Sequence, residues 1–267
     1  MRYFRYESKT KKVNLYPFVC WHLGAKQSDE NFIDEMVDKV ASDPDGKWLF
    51  MGDGGECVTR TSKGDIWDQV YSPGDQIKKL VEKLTPIKSK GLFFVNGNHG
   101  HRLYKDVGLE FDEMAALGLG LPYLGISAFW QLKVNKSTYN IFTHHGKDSG
   151  VGMASKINAA QSASAIVANA DAVMTAHSHI ADVLNPIYRA ELATGHNEVD
   201  PVRWRTTHQY VCGCAYDSRT GYAEEKLYPP ILPAHLKIEF SGERDYKKGA
   251  QGRGVYEQNA TIYRPQP

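Results

Sequence analysis

The stretch that most constrains this chain is a short apolar run that stops abruptly in glycine and acid. Trp48–Met51 is followed at once by Gly52, Asp53, Gly54, Gly55 and Glu56. Apolar runs of this length, bounded by glycines, are typical of a strand buried on both faces in a sheet flanked by helices. Such a strand would hold Asp53 on a rigid element at the sheet edge where ligands bind.

Four other apolar runs end in a similar way, each with histidine at or just past its end. They lead into Cys20–His22, Gly97–Arg102, His144–Gly146 and Ala176–His179. Seven of the ten histidines fall in these stretches, which is the clustering that a metal site would produce. Imidazole, carboxylate and amide oxygen are ligand types that suit Zn, Mn, Fe or Ni. One carboxylate can bridge two cations, and a pair of cations stabilises both oxygens of an in-line phosphoryl displacement.

Strands and helices alternate along most of the chain, with strands added late. The sequence predicts strands at Val13–Cys20, Gly91–Asn96, Ile126–Val134, Tyr139–Thr143, Ala172–Ala176, Gln209–Cys212, Leu236–Phe240 and Ala260–Tyr263. It predicts helices after the Ser28–Glu30 cap, after the Ser72-Pro73 cap, at Asp112–Leu117 and at Met153–Asn169. An exposed loop is expected from Lys247. This order favours a layered α/β sandwich with helices on both outer sides.

Composition excludes several classes of protein. The 267 residues are 42% hydrophobic and 24% charged, which is ordinary for a globular chain. Lys and Arg number 32 against 31 Asp and Glu, so no net basic charge favours nucleic acid, although a local basic patch stays open. No run approaches the roughly 18 apolar residues of a membrane span. Four cysteines and a start without an apolar signal segment indicate a reducing, cytoplasmic location.

Three further features of the sequence have competing interpretations. The polar stretch Glu56–Tyr71 follows the Asp53 motif, and it is either a loop that carries specificity or a solvated insertion. Trp21 and Trp67 are candidates to stack on a base, but packing in the core or at the rim is favoured. Cys212-Gly213-Cys214 has no second ligand pair nearby, so two core cysteines in a strand are expected.

Taken together, the five strand ends resemble the motifs of the calcineurin-like metallophosphoesterases. The usual motifs of that family are Asp-x-His, Gly-Asp-x-x-Asp/Glu, Gly-Asn-His-Asp/Glu, a histidine after a strand, and Gly-His-x-His. Here they stand, in the family's order, as Cys20-Trp21-His22, Gly52-Asp53-Gly54-Gly55-Glu56, Gly97-Asn98-His99-Gly100, His144-His145-Gly146 and Ala176-His177-Ser178-His179. The resemblance implies a four-layer α/β/β/α sandwich of two mixed sheets flanked by helices, in a single domain over residues 1–267.

The resemblance also implies two divalent metal ions, drawn from Mn, Zn, Fe and Ni. One would be held by Cys20, His22, Asp53 and His179, and the other by Asp53, Asn98, His144 and His177. Asp53 would therefore bridge the two ions. His99 would be the acid that protonates the leaving oxygen, and a hydroxide held by both metals would be the nucleophile.

The chain departs from the family pattern at Cys20 and Gly100. Cys20 stands where Asp is usual, as in lariat debranching enzymes, and a thiolate favours Zn or Fe over Mg. Gly100 replaces an acidic residue that would orient His99. His144 directly follows a strand and is the favoured ligand, so His145, like Arg102, would reach the substrate instead.

The resulting hypothesis is a two-metal phosphoesterase that hydrolyses a phosphodiester in a nucleotide or nucleic acid, without a membrane or an obligatory protein partner. Two alternatives stay open. A phosphomonoesterase, including a protein phosphatase, needs basic side chains around a dianion, for which Arg60, Arg102 and Lys147 are candidates. A non-catalytic metal-binding scaffold of the same fold would be consistent with the departures at Cys20 and Gly100.

Overall fold

A computed structural model of the chain describes residues 1–147, 150, 152–192, 202–225, 227, 229–243 and 259–265. Within these residues the strands are β1 (Arg2–Ser8), β2 (Lys12–Phe18), β3 (Gly46–Phe50), β4 (Gly91–Phe94), β5 (Ser127–Val134), β6 (Ser137–His144), β7 (Ala172–Thr175), β8 (Ala181–Leu192), β9 (Val202–Cys214), β10 (Ala234–Ser241) and β11 (Asn259–Tyr263). The helices are α1 (Glu30–Ser42), α2 (Pro73–Leu84), α3 (Gly100–Val107), α4 (Phe111–Leu119), α5 (Met153–Ala163) and α6 (Tyr222–Glu225). Two 3₁₀ helices lie at Ile66–Asp68 and Thr85–Lys90. The protein is therefore mixed α/β, with a large sheet and helices.

The strands form one continuous path in the order β1-β5-β6-β7-β9-β10-β2-β3-β4, with β8 added to β9 and β11 to β10. A short antiparallel pairing of β9 with β10 joins two halves of this path. Gly213 makes the junction possible: its φ is +86°, and a Cβ there would lie 1.8 Å from the carbonyl oxygen of Ala234. Cys212 and Cys214 flank this glycine and are buried in β9, which confirms the interpretation that they are core residues.

Each half of the sheet contributes the side chains of its two faces to two different apolar clusters. Leu49 of β3 and Phe93 of β4 join Trp130 of β5 and Met174 of β7 in a cluster made by both halves. The opposite face of β2, β3 and β4 packs on the apolar stripes of α1, α2 and α4 in a second cluster. A third, smaller cluster joins β6 and β7 to residues in and after α5. Because strand residues alternate between faces, the central strands are apolar on both sides.

Most of the elements predicted from the sequence are confirmed. Helices α1 and α2 begin at the expected caps, where Asp29 accepts from Phe32 N and Ser72 accepts from Asp75 N. Trp21 is fully buried and donates its indole N–H to His235, which confirms the core interpretation of this residue. Among the described residues, no helix has the length and apolar character needed to cross a membrane. The predicted loop from Lys247 begins outside the described residues.

Two predictions of helices differ from the structure. Helix α5 ends at Ala163 rather than Asn169, because the Ser164 hydroxyl is buried and donates to Gln209 Oε1 at 2.8 Å, so a tertiary contact replaces the next turn. Helix α3 was not predicted; Gly100 is its one buried residue, and its apolar residues Tyr104 and Val107 are exposed. It ends at Gly108, whose left-handed conformation supplies the cap.

His235 links strand β10 to the core and makes stability depend on pH. Its Nε2 accepts the indole N–H of Trp21 at 3.2 Å, and burial lowers its pKa to about 4. Because an ordinary histidine has a pKa of about 6.5, the stabilising contribution is full above that pH and about 3 kcal/mol is lost as the pH falls towards 4. We expect His235→Gln, which keeps an acceptor for Trp21, to flatten this part of the profile, measured by urea unfolding between pH 7 and pH 4.

The matched control for this measurement is His101→Gln. The side chain of His101 is 42% exposed and lies 3.1 Å from Glu110, outside the buried core that holds His235. Its variant should keep the wild-type dependence of unfolding free energy on pH. A His235→Gln variant that follows the wild-type curve would contradict the assignment.

Candidate functional site

The candidate site lies where the turns after five strands meet. Strands β2, β3 and β4 are parallel neighbours, as are β6 and β7, so each set of carboxyl ends lies on one edge. Backbone pairing continues past β2 and β3, because the N–H of Cys20 donates to Gly52 O and the N–H of His22 to Asp53 O, both at 3.0 Å. The N–H of Ala176 likewise donates to His145 O at 2.8 Å. The strand ends therefore converge, as the sequence pattern predicted.

Most of the candidate ligand residues have an unusual backbone conformation. Left-handed φ angles occur at Cys20 (50°), His22 (48°), Asp53 (56°), His177 (65°) and His179 (61°). Residues with a side chain avoid this region, and each such residue costs about 1–3 kcal/mol. Elsewhere in the described residues, the non-glycine positions with positive φ are Cys57, Asn135 and Leu227. Strain concentrated in this way is characteristic of ligand and active sites.

Two glycines allow the turns after β3 and β4 to touch. Gly52 has a φ of +87°, and a Cβ on it would lie 2.3 Å from Gly97 N. A Cβ on Gly97 would lie 2.2 Å from Asp53 Oδ1. The close approach places Asp53 directly against the turn that carries Asn98 and His99.

The first cluster of possible metal ligands is formed by Cys20, His22 and His179, whose donor atoms lie within 4.8 Å of one another. His22 Nδ1–H donates to Glu56 Oε2 at 2.9 Å, so its Nε2 faces His179 Nε2 at 3.0 Å. Burial lowers the pKa of His22 and lowers that of His179 well below its usual range. Both imidazoles are therefore held neutral, which is the form that binds metals.

Cys20 completes this cluster as a fully buried thiol. Burial, and then the charge of Asp53, raise its pKa well above the usual range. A thiol in such surroundings is inert on its own, whereas a cation beside it would favour the thiolate. Its sulfur also belongs to a second group with Asp53 and His145, so Cys20 lies between the two clusters.

The second cluster joins Asp53 and Asn98 to His145. His145 Nδ1–H donates to the carbonyl of Met51 at 2.6 Å, while its Nε2 lies 3.1 Å from Asn98 Oδ1 and 3.0 Å from Asp53 Oδ2. Burial lowers the pKa of His145, but the carboxylate of Asp53 outweighs it and raises the pKa overall. Because Met51 fixes the proton on Nδ1, Nε2 is the nitrogen that would exchange its proton for a cation.

Asp53 is the residue that the two clusters share. Its Oδ1 accepts from His99 N at 2.7 Å, whereas the buried Oδ2 accepts no hydrogen bond of good geometry and lies 3.0 Å from His145 Nε2. Burial raises the pKa of Asp53, but the neighbouring histidines, first His145, lower it well below its usual range. A buried carboxylate oxygen without a hydrogen bond costs free energy unless a cation completes it. These residues therefore fit a divalent metal.

His99 lies beside the clusters in a network with Glu56 and Arg102. His99 Nδ1 is 3.2 Å from both the backbone oxygen and the Oε2 of Glu56, and its Nε2 lies 3.2 Å from a guanidinium nitrogen of Arg102. Arg102 also donates to Glu56 Oε1 at 2.9 Å. Burial lowers the pKa of His99, but Asp53 and Glu56 outweigh it, so the pKa is raised. Glu56 therefore orients and charges His99, the role that the sequence suggested was lost with Gly100.

The structure brings together most of the predicted site residues, with one exchange. Cys20, His22, Asp53, Asn98, His99, Arg102 and His179 all lie in the two clusters or the His99 network. His144 does not: it belongs to none of the possible ligand groups among the described residues, and its Nδ1 accepts from Gly146 N at 2.8 Å. His145 takes that place instead and is 3% exposed, so the geometry favours His145 as the ligand. The ring of His177 lies 5.4 Å from the ring of His145, at the edge of the second cluster.

Three residues of the site were not assigned a role from the sequence. Glu56 stood within a motif but had no partner until the fold placed it between His22 and His99. Tyr216 lies beyond the motifs, and its ring is 5.3 Å from that of His22. Lys156 of α5 donates to the backbone oxygen of Ser178 at 3.2 Å. Nothing in the local sequence marks Tyr216 or Lys156.

Comparison with known proteins gives only weak likenesses. No protein-family model and no curated protein matches the chain. Among solved structures, the crystal structure of Chaetomium thermophilum Vps29 has a TM-score of 0.40 at 11% identity, over 95% of this chain and 100% of that one. The protein of unknown function AQ665 from Aquifex aeolicus has a TM-score of 0.36 at 14% identity, over 63% of this chain and 80% of that one. These likenesses are too weak to assign a family or an activity.

Metal binding by two variants tests whether His145, rather than His144, is a metal ligand. We expect His145→Ala to weaken metal binding by more than the roughly 10–100-fold that follows loss of an outer-shell partner, because it removes the donor atom at Asp53 and Asn98. His144→Ala is the matched variant and should keep the wild-type metal content. Metal per chain after dialysis, measured by mass spectrometry, distinguishes them. A loss of bound metal in His144→Ala but not in His145→Ala would instead identify His144 as the ligand.

The close approach of the β3 and β4 turns gives a second test. Gly97→Ala would force its Cβ against Asp53, so we expect it to destabilise the fold by about 1–3 kcal/mol and to weaken metal binding. Gly74→Ala is the control, since a Cβ there meets nothing within 4 Å; it should be neutral or stabilising by up to about 1 kcal/mol. Denaturant unfolding and metal titration measure both, and equal behaviour of the two variants would contradict the packing.

Proposed function

We propose that this chain is a metal-dependent phosphoesterase of the calcineurin-like metallophosphoesterase type. The observation that carries the proposal is the convergence of thiol, imidazole, carboxylate and amide donors from five strand ends around Asp53. The three apolar clusters support the four-layer α/β/β/α sandwich of that family, with the two halves of the sheet as the inner layers. The substrate in this proposal is a phosphodiester of a nucleotide or nucleic acid.

In this proposal two divalent cations bind at the two clusters. Cys20, His22 and His179 hold one, Asn98 and His145 hold the other with His177 at its edge, and Asp53 contributes to both. The thiol and the imidazoles favour Zn, Fe, Mn or Ni over Mg. When bound, the cations supply positive charge to phosphoryl oxygens and lower the pKa of a water molecule.

His99 acts as the proton donor to the leaving oxygen. Its raised pKa favours the protonated imidazole, and Glu56 holds Nδ1 so that Nε2 is the nitrogen that can transfer a proton. Arg102, whose guanidinium lies 3.2 Å from Nε2, would donate to a phosphoryl oxygen of the bound substrate. Transfer of the Nε2 proton of His99 to the leaving oxygen then completes the departure of the alcohol.

The basic groups of the site favour a diester over a monoester. Among the described residues, Arg102 and Lys156 are the basic side chains bonded at the clusters. Each already donates to protein oxygens, whereas a phosphomonoester dianion needs several free cationic donors. Arg60 and Lys147, the other candidates, make no bond with the site. The phosphomonoesterase and the non-catalytic scaffold stay as the competing outcomes of the experiment that follows.

A hydrolysis assay of the wild type, Asp53→Asn and Glu56→Gln distinguishes the phosphodiesterase from the phosphomonoesterase and the scaffold. We expect hydrolysis of an aryl phosphodiester to require metal and to vanish in Asp53→Asn, because the shared carboxylate is lost. Glu56→Gln should reduce kcat about 10–100-fold, as loss of a partner that orients a site histidine typically does. The assay compares the diester with the matching monoester after chelation and add-back of Mn, Zn, Ni or Fe(II). A monoester preference would favour the phosphatase, and no turnover despite bound metal would favour the scaffold.

A further inference from the structure

The segment of residues 57–71, here called the rim loop, is held rigidly beside the candidate site. The buried Gln76 of α2 accepts from Cys57 N at 2.9 Å and donates to Gln69 Oε1 at 2.9 Å and to Tyr71 O at 2.8 Å. Gln69 in turn exchanges two hydrogen bonds with the backbone of Val58, both 2.9 Å long. Both ends of the loop are therefore fixed by amide side chains rather than by an apolar core.

Three contacts place the rim loop against the elements that carry the clusters. It starts directly after Glu56, and near its end Val70 N donates to Gly24 O at 2.8 Å, two residues beyond His22. In its middle, Thr61 donates to Asp106 of α3, one helical turn beyond Arg102. The rim loop therefore borders the segments that carry His22 and Arg102.

The rim loop leaves its one tryptophan in solvent. Trp67 is 82% exposed, although Asp65 fixes its backbone by accepting from Trp67 N at 2.8 Å. A depression of about 440 Å³ beside it is lined by Thr59, Arg60, Gly64, Asp65, Ile66 and Trp67, a volume within the usual range of small-ligand sites. A loop that is fixed at both ends and does not bury its largest side chain leaves an aromatic face available to a ligand.

The charges of the loop are complementary to a nucleic-acid chain. In the described part of the protein, the side chains of Arg60 and Lys63 form no hydrogen bond or ion pair, whereas the acidic Asp68 is paired with Lys26 at 2.7 Å. Asp65 is used as a cap. An aromatic face with free cations beside it is the combination that holds single-stranded nucleic acid, in which bases stack and phosphates bind cations.

We infer that the rim loop is a base-stacking subsite, in which Trp67 stacks on a nucleobase of a single-stranded oligonucleotide and Arg60 and Lys63 bind its phosphates. The inference rests on the proposed function for the position of the scissile phosphate. It narrows the proposed substrate from any nucleotide or nucleic-acid diester to a single-stranded oligonucleotide, because the subsite binds an unpaired base beside the phosphates.

The test compares binding of two fluorescent probes in the presence of a chelator, so that no hydrolysis occurs. One is oligothymidylate of about eight nucleotides, and the other is the abasic chain of the same length and charge. We expect the wild type to bind oligothymidylate roughly five- to a hundredfold more tightly than the abasic chain. Trp67→Ala should lose this ratio, and Trp67→Phe should keep most of it, because phenylalanine also stacks.

Trp204→Ala is the matched control, since Trp204 is 66% exposed on β9, away from the rim loop. It should bind both probes as the wild type does. Equal affinity of the wild type for the two probes, or the same loss in Trp204→Ala, would overturn the subsite. Turnover of a small aryl diester by the wild type is measured separately, so loss of base preference and loss of catalysis are distinguishable.

Discussion

The site depends first on backbone hydrogen bonds that extend beyond the ends of strands β2 and β3. The N–H groups of Cys20, His22 and Leu23 donate to three successive carbonyl oxygens, those of Gly52, Asp53 and Gly54. This pairing keeps two irregular turns in register although several of their residues have left-handed conformations. Because buried backbone groups must be paired, the cost of the strain is offset by the bonds that the strained turns make with one another.

The side chains of the site are then fixed by mutual charge. Asp53 is buried and Glu56 is partly buried, and the carboxylate of each has its pKa lowered well below the usual range by histidines beside it. The histidines divide into two kinds: His22 and His179 are neutral by burial, whereas His99 and His145 have raised pKa values next to carboxylates. One fold thus supplies neutral imidazoles suited to bind a cation and a charged imidazole suited to donate a proton.

Local sequence patterns predicted the elements and the five strand ends well, because apolar runs and caps are local features. The helix caps at Asp29 and Ser72 and the strand before Asp53 depend only on neighbouring residues. The choice between His144 and His145 does not, since it depends on whether a ring nitrogen reaches the carbonyl of Met51, 94 residues away. The roles of Glu56 and Tyr216 in the site could likewise not be predicted from local sequence, because their partners come from distant segments.

The thin junction between β9 and β10 has a consequence for the clusters. Cys20, His22, Asp53 and Asn98 belong to one half of the sheet, whereas His145 and His179 belong to the other. Two residue pairs of backbone join the halves at β9 and β10, and His145 Nδ1–H donates across them to Met51 O at 2.6 Å. The spacing between opposing donor atoms therefore depends on this bond and on the thickness of the apolar layer between the halves. Side chains such as Trp130 and Phe93 act as spacers, and a change in their volume would alter donor distances without touching a donor. Packing in the core therefore helps to fix how far apart the donor atoms of the two halves lie.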